Sequence, residues 1–273
     1  PQSVDLGTER TAVAVTTGSL YSCAILDDAS LKCWGYNNQG ELGIGNFTQQ
    51  NSPQSVDLGT GRTAAAVTLG WAHTCAILDN GSLNCWGNGG DGALGTGSTT
   101  DHSTPQWVDL GTGRTAVAVD VDNTHTCAIL DNASLKCWGS NWKGQLGIGS
   151  NNDGHYSTPQ SVDLGTDRTA MAVTTGAFWT CAILDTASLK CWGANSDGEL
   201  GIGSNTDQNT PQSVGLGAGR HMALSERDID GDGVLNIFDT HMPGGQEGSI
   251  YTDSQLSSGE DHGCAILDDG SLQ

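Results

Sequence analysis

The residues of this 273-residue chain best suited to chemistry fall in one short stretch, Asp228-Ile229-Asp230-Gly231-Asp232-Gly233-Val234-Leu235-Asn236-Ile237-Phe238-Asp239. A hard cation such as Ca²⁺ takes roughly six to eight oxygen ligands. A 12-residue loop supplies them from positions 1, 3, 5, 7, 9 and 12, with glycine at position 6 for the sharp turn. Those positions hold Asp228, Asp230, Asp232, the Val234 carbonyl, Asn236 and Asp239, and Gly233 takes the turn. The spacing predicts a structural calcium site, because the surrounding segment has little apolar content with which to fold alone.

Cysteine supplies the second chemistry. Eight of the nine cysteines form pairs with a constant offset of ten: Cys23 with Cys33, Cys75 with Cys85, Cys127 with Cys137, and Cys181 with Cys191. The position ten beyond Cys264 falls just after Gln273, so its expected partner lies outside the sequence. A three-residue turn centred on the Asp/Asn between them would set each pair directly opposite across a hairpin, about 4.5 to 5.5 Å apart at Cα and within disulfide range. Each bridge would contribute roughly 2 to 3 kcal/mol and imply an oxidising compartment. The alternatives are buried free thiols, or a metal site, for which Cys-x-x-Cys knuckles are absent.

The elements that must position these groups repeat. Pro-Gln-x-Val-x-Leu-Gly begins at Pro1, Pro53, Pro105, Pro159 and Pro211. The first four phrases each lead into a short Ala/Val strand after Arg10, Arg62, Arg114 or Arg168, then the Cys-Ala-Ile-Leu-Asp to Ser-Leu-x-Cys-Trp-Gly hairpin. A loop with Gly-x-Leu-Gly-x-Gly follows at Gly40 to Gly45, Gly92 to Gly97, Gly144 to Gly149 and Gly198 to Gly203. Three or four short strands per unit, with no amphipathic helical stretch, make each unit a small antiparallel sheet that must pack on its neighbours. An all-β fold follows, with the units as blades of a β-propeller.

The phrase Cys-Trp-Gly-x-Asn-x-x-Gly-x-Leu-Gly-x-Gly, clearest from Trp34 to Gly45, Trp138 to Gly149 and Trp192 to Gly203, resembles the regulator of chromosome condensation repeat family. The resemblance covers nearly the whole chain outside 225–258. It implies a seven-bladed propeller, of which the chain holds four full units (about 11–62, 63–114, 115–168 and 169–220, within 1–224) and part of a fifth at 259–273. The chain is thus expected to be a fragment, with missing units before Pro1, after Gln273, or both. The fifth unit is interrupted: 13 positions separate Arg62 from Cys75, but 44 separate Arg220 from Cys264. The insertion, 225–258, carries the aspartate stretch, which resembles the calcium loops of EF-hands, dockerins and thrombospondin type 3 repeats. Asp239 in place of a final Glu favours the latter two, and no flanking helices complete an EF-hand.

Formal charge is −21 with only ten Lys and Arg, which disfavours duplex nucleic acid and anionic membranes. No apolar run is long enough for a membrane span. His73, His125 and His262 share their repeat position with Tyr21 and Trp179, which reads as aromatic packing rather than catalysis. Trp34, Trp86, Trp138 and Trp192 recur once per unit and read as packing between blades. Trp71, Trp107, Trp142, Tyr156, Phe178 and Trp179 vary among units and are the candidates for a binding face. Asn-x-Ser/Thr triplets at Asn46, Asn80 and Asn132 would accept glycans only in a suitable secretory host.

The expected function is an extracytoplasmic binding or adhesion module, at the cell surface or outside the cell, that recognises a protein or surface glycan. The resemblance also implies an alternative, guanine nucleotide exchange on a small GTPase, against which the cysteine pairs and the acidic balance weigh. A propeller hydrolase or lyase is the third reading. No nucleophile elbow or Ser/His/Asp arrangement supports it, and no catalytic residue is expected.

Overall fold

The computed structural model describes residues 3–151 and 154–217, with the backbone of two further strands at 256–258 and 263–265. Each repeat forms a four-stranded antiparallel meander paired in chain order. The first blade is β1 (Ala12–Thr17), β2 (Tyr21–Leu26), β3 (Leu31–Gly35) and β4 (Gln50–Ser55); the second is β5 (Ala64–Leu69), β6 (His73–Leu78), β7 (Leu83–Gly87) and β8 (His102–Trp107). The third is β9 (Ala116–Val121), β10 (His125–Leu130), β11 (Leu135–Ser140) and β12 (His155–Ser161), and the fourth is β13 (Ala170–Thr175), β14 (Trp179–Leu184), β15 (Leu189–Gly193) and β16 (Gln208–Ser213). The innermost strands β1, β5, β9 and β13 follow one another side by side, the arrangement of an all-β propeller.

The second strand of each blade shows why one unit cannot stand alone. Successive side chains of a strand point to opposite faces, and in β6 both faces are buried. Cys75 and Ile77 enter a core shared with Ala128, Leu130 and Trp138 of the third blade. Ala76 and Leu78 enter a core shared with Cys23, Ile25 and Leu31 of the first. The apolar cores therefore lie at the seams between blades.

The hairpins carry the cysteines. In the first, the Leu26 N–H donates to the Ser30 carbonyl and the Ala29 N–H to the Leu26 carbonyl, closing a loop of Asp27, Asp28 and Ala29. Antiparallel pairs alternate between bonded and non-bonded, and counting from Leu26 and Ser30 makes Cys23 opposite Cys33 a close, non-bonded pair. Disulfides Cys23–Cys33, Cys75–Cys85, Cys127–Cys137 and Cys181–Cys191 join all four hairpins, with 4.1 Å between Cα atoms in each.

Beyond the fourth blade, β17 (Leu256–Ser258) pairs antiparallel with β18 (Gly263–Ala265). Ser257 opposes Cys264 with the same offset as Thr16 with Cys23, Thr68 with Cys75, Asp120 with Cys127 and Thr174 with Cys181. β17 also lies beside β13. The inner strand of the fifth unit is thus drawn from residues beyond the aspartate stretch.

Candidate functional site

The repeated tryptophans are seam residues. Trp86, Trp138 and Trp192 are fully buried. Each donates its indole N–H at 2.9 Å to a carbonyl of the preceding blade: Glu41, Ala93 and Gln145. Hydroxyls of Thr74, Thr126 and Thr180 donate to the same three carbonyls. Gly43, Gly95 and Gly147, the first glycines of the first three Gly-x-Gly turns, lie against these rings; a Cβ on Gly95 would stand 2.6 Å from Trp138 Nε1, and its φ is +71°. The tryptophan and the glycine turn are therefore two halves of one joint. Trp34, the first of the series, is half-buried.

The position shared by Tyr21, His73, His125 and Trp179 is buried throughout. Tyr21 donates its hydroxyl to the His73 carbonyl at 2.7 Å, and its Oη lies 3.2 Å from Thr74 Oγ1. His73 Nε2 lies 3.0 Å from Thr126 Oγ1, and His125 Nε2 lies 2.9 Å from Thr180 Oγ1. Each ring thus reaches the hydroxyl of the next blade. Burial lowers the His73 imidazole to about 4, and burial with the neighbouring His73 lowers His125 to about 3. Burial pushes the Tyr21 phenol up. These groups are latches between blades, and their neutral forms are the ones the fold holds.

Asp120 replaces the threonine found at Thr16, Thr68 and Thr174. Its Oδ2 accepts from the Thr175 N–H at 2.7 Å and from the Thr175 hydroxyl at 3.0 Å. Burial raises its carboxyl, and burial likewise raises that of Glu41.

The proposed binding aromatics divide. Trp71 (57% exposed), Trp142 (64%) and Phe178 (46%) project from the connections β5–β6, β11–β12 and β13–β14. In an antiparallel meander the first and third connections leave the sheet at the same end, so these three share one end of the blades. Leu20 (66%) in β1–β2 and Phe47 (49%) in β3–β4 join them. Trp107 (62%) is the last residue of β8 and pairs with Asn84 beside the β6–β7 turn, which puts it at the opposite end. Tyr156 is half-buried against the third seam, and Trp179 is buried. Leu20 holds the position of Phe178 in its own repeat, so aligning the units would have found it; Phe47 carried no such signal.

The calcium residues Asp228, Asp230, Asp232, Val234, Asn236 and Asp239, with His262, lie outside the described residues. Among the described residues no group of three or more His, Cys, Asp or Glu is placed to hold a metal. No described helix is long and apolar enough to cross a membrane.

A repeat model described as "Regulator of chromosome condensation (RCC1) repeat" matches residues 31–77, 80–129 and 137–183, and a second of the same description matches 12–41 and 64–93. The Ultraviolet-B receptor UVR8 of Arabidopsis thaliana is 30% identical over 219 residues, covering 78% of this chain and 49% of the receptor. The mitochondrial RCC1 domain-containing protein RUG3 of the same plant is 32% identical over 219 residues, again 78% and 49%. The chain thus spans about half the length of these relatives. A chain in the crystal structure of Kap60 bound to yeast RCC1 (Prp20) superposes with a TM-score of 0.73 over 97% of this chain and 56% of that one, at 16% identity, a likeness of fold.

Proposed function

The chain belongs to the regulator of chromosome condensation (RCC1) repeat family, and from that premise we propose that it is a binding module of an oxidising, extracytoplasmic compartment, recognising a protein or surface glycan through loops held on a rigid propeller. The observation that carries the reading is the gathering of Leu20, Phe47, Trp71, Trp142 and Phe178 at one end of the blades, all exposed. Exposed aromatics on loops of a rigid scaffold are the usual material of recognition surfaces. The opposed cysteine pairs, one per blade, support the compartment. A formal charge of −21 favours a partner with a basic or neutral surface. The module acts by holding its partner rather than by catalysis.

In the same reading, the stretch from Asp228 to Asp239 holds a structural Ca²⁺. Its donor set of four carboxylates, one amide and one carbonyl suits that cation and not Zn²⁺, which prefers nitrogen and sulfur. A bound cation there would supply cross-linking charge for the inserted segment and no reaction chemistry.

The test uses the disulfide-intact chain, with Trp71→Ala, Trp142→Ser and Phe178→Ala combined as the rim variant. Binding to a panel of extracellular proteins and glycans is expected from the wild-type chain and to fall at least tenfold in the rim variant, with thermal unfolding unchanged. Acceleration of nucleotide release from a small GTPase by the same chain would instead install the exchange-factor alternative.

A further inference from the structure

Four copies of one unit within a single chain allow each blade to serve as a control for the others. Between the glycines of the Gly-x-Gly turn stand Ile44, Ile148 and Ile202 in the first, third and fourth blades, each packed against its core cluster, but Thr96 in the second. At the end of the outer strand stand Ser55, Ser161 and Ser213, but Trp107 in the second. Although 11 positions apart, both departures line one cavity of about 310 Å³. Its other walls are Gly95, Gly97 and Asp109 of the second blade with Thr158 and Pro159 of the third. The volume is at the lower end of small-ligand sites, about 300 to 1,000 Å³.

We propose that this seam between the second and third blades is a saccharide subsite that takes a neutral or amino sugar. Trp107 offers an exposed indole face, the apolar platform that the C–H face of a pyranose requires. Asp109 Oδ1 accepts the Gly111 N–H at 2.9 Å, and Oδ2 has no protein partner among the described residues, so it can accept from a sugar hydroxyl or ammonium. Thr96 Oγ1 is buried without a hydrogen-bond partner. Thr96 lines the cavity, and a staggered change of χ1 re-aims its hydroxyl, so the orphaned group gains a bond where a sugar hydroxyl meets it. Trp107→Ser and Thr96→Ile restore what the other three blades carry, so the same fold accommodates them. A carboxylate within an acidic chain disfavours anionic saccharides such as uronates. Trp107 stands at the end of the blades away from the aromatic rim, and none of Leu20, Phe47, Trp71, Trp142 and Phe178 lines the cavity, so the site does not depend on the rim.

The test is calorimetry and saturation-transfer NMR on the disulfide-intact chain with cellotetraose, mannotetraose, chitotetraose and a chitosan tetramer, beside tetragalacturonate and a proline-rich peptide. Binding of at least one neutral or amino tetramer is expected. It should weaken at least tenfold in Trp107→Ser and severalfold in Thr96→Ile, and hold in the triple rim variant, with thermal unfolding of Trp107→Ser unchanged. The proposal is overturned if no neutral or amino tetramer binds, if binding survives Trp107→Ser, or if only the uronate or the peptide binds. Saccharide binding that persists while the rim variant loses its partner, or the reverse, separates the fate of this site from that of the rim.

Discussion

Ala29, Ala133 and Ala187 close their hairpins with φ of +58°, +60° and +57°, where the second blade has Gly81 at +74°. A Cβ in the left-handed region costs about 1 to 2 kcal/mol, partly offset by the greater freedom of glycine in the unfolded chain. Ala133→Gly is therefore expected to raise unfolding free energy by roughly 0.5 to 1 kcal/mol in chemical denaturation. Gly81→Ala should lower it, because its Cβ would also meet Thr115 Cβ at 2.8 Å. The buried histidines set the response to acid. Both are neutral in the fold, with values lowered to about 4 and about 3, whereas the unfolded chain takes up their protons near pH 6.5. Stability is thus lost as pH falls below about 6.5, and the loss levels only below the folded values. Asp120 and Glu41, with raised carboxyls, shed an ionisation penalty over part of that range, in the opposite sense. Comparison with His73→Tyr and His125→Tyr isolates the histidines: thermal unfolding of the double variant should fall less between pH 7 and pH 4.5 than that of the parent.

Among the elements, the joint of tryptophan and glycine turn carries the seams. Trp138→Ala is expected to cost about 3 to 5 kcal/mol, since it empties a filled site and removes a donor from the Ala93 carbonyl. Trp34→Ala should cost much less, because Trp34 is only half-buried. Equal losses in denaturation would contradict the seam account. The elements were also where the sequence spoke most clearly. The offset of ten between cysteines, spanning a three-residue turn, places Cys127 opposite Cys137, and the uninterrupted apolar run Cys-Ala-Ile-Leu marks a strand buried on both faces. Exposure at the ends of strands was less legible. Phe178 and Trp179 are adjacent, yet one is exposed and the other buried. Tyr156 turns into the third seam while Trp107 stands out of the second. Which way such a residue faces depends on what the next blade places against it, and no pattern within a single unit records that. The joined role of Thr96 and Trp107 was hidden for the same reason, since half of its cavity belongs to another repeat.

For the whole molecule, the account joins a propeller held by seam packing and one disulfide per blade to a binding rim and an inserted calcium segment. Calorimetric titration of the chain with Ca²⁺ should show one site, lost in Asp230→Ala with Asp232→Ala, and thermal unfolding of the blades should move little on chelation, since the three described seams and the four bridged hairpins involve none of those residues. The most direct test of the central claim is the mass of the protein isolated from its native source without reductant, after alkylation of free thiols. The account predicts that Cys23, Cys33, Cys75, Cys85, Cys127, Cys137, Cys181 and Cys191 all escape alkylation, each linked to its partner ten positions away. Alkylation of all eight would contradict it, placing the protein in a reducing compartment and removing the ground for an extracytoplasmic binding module.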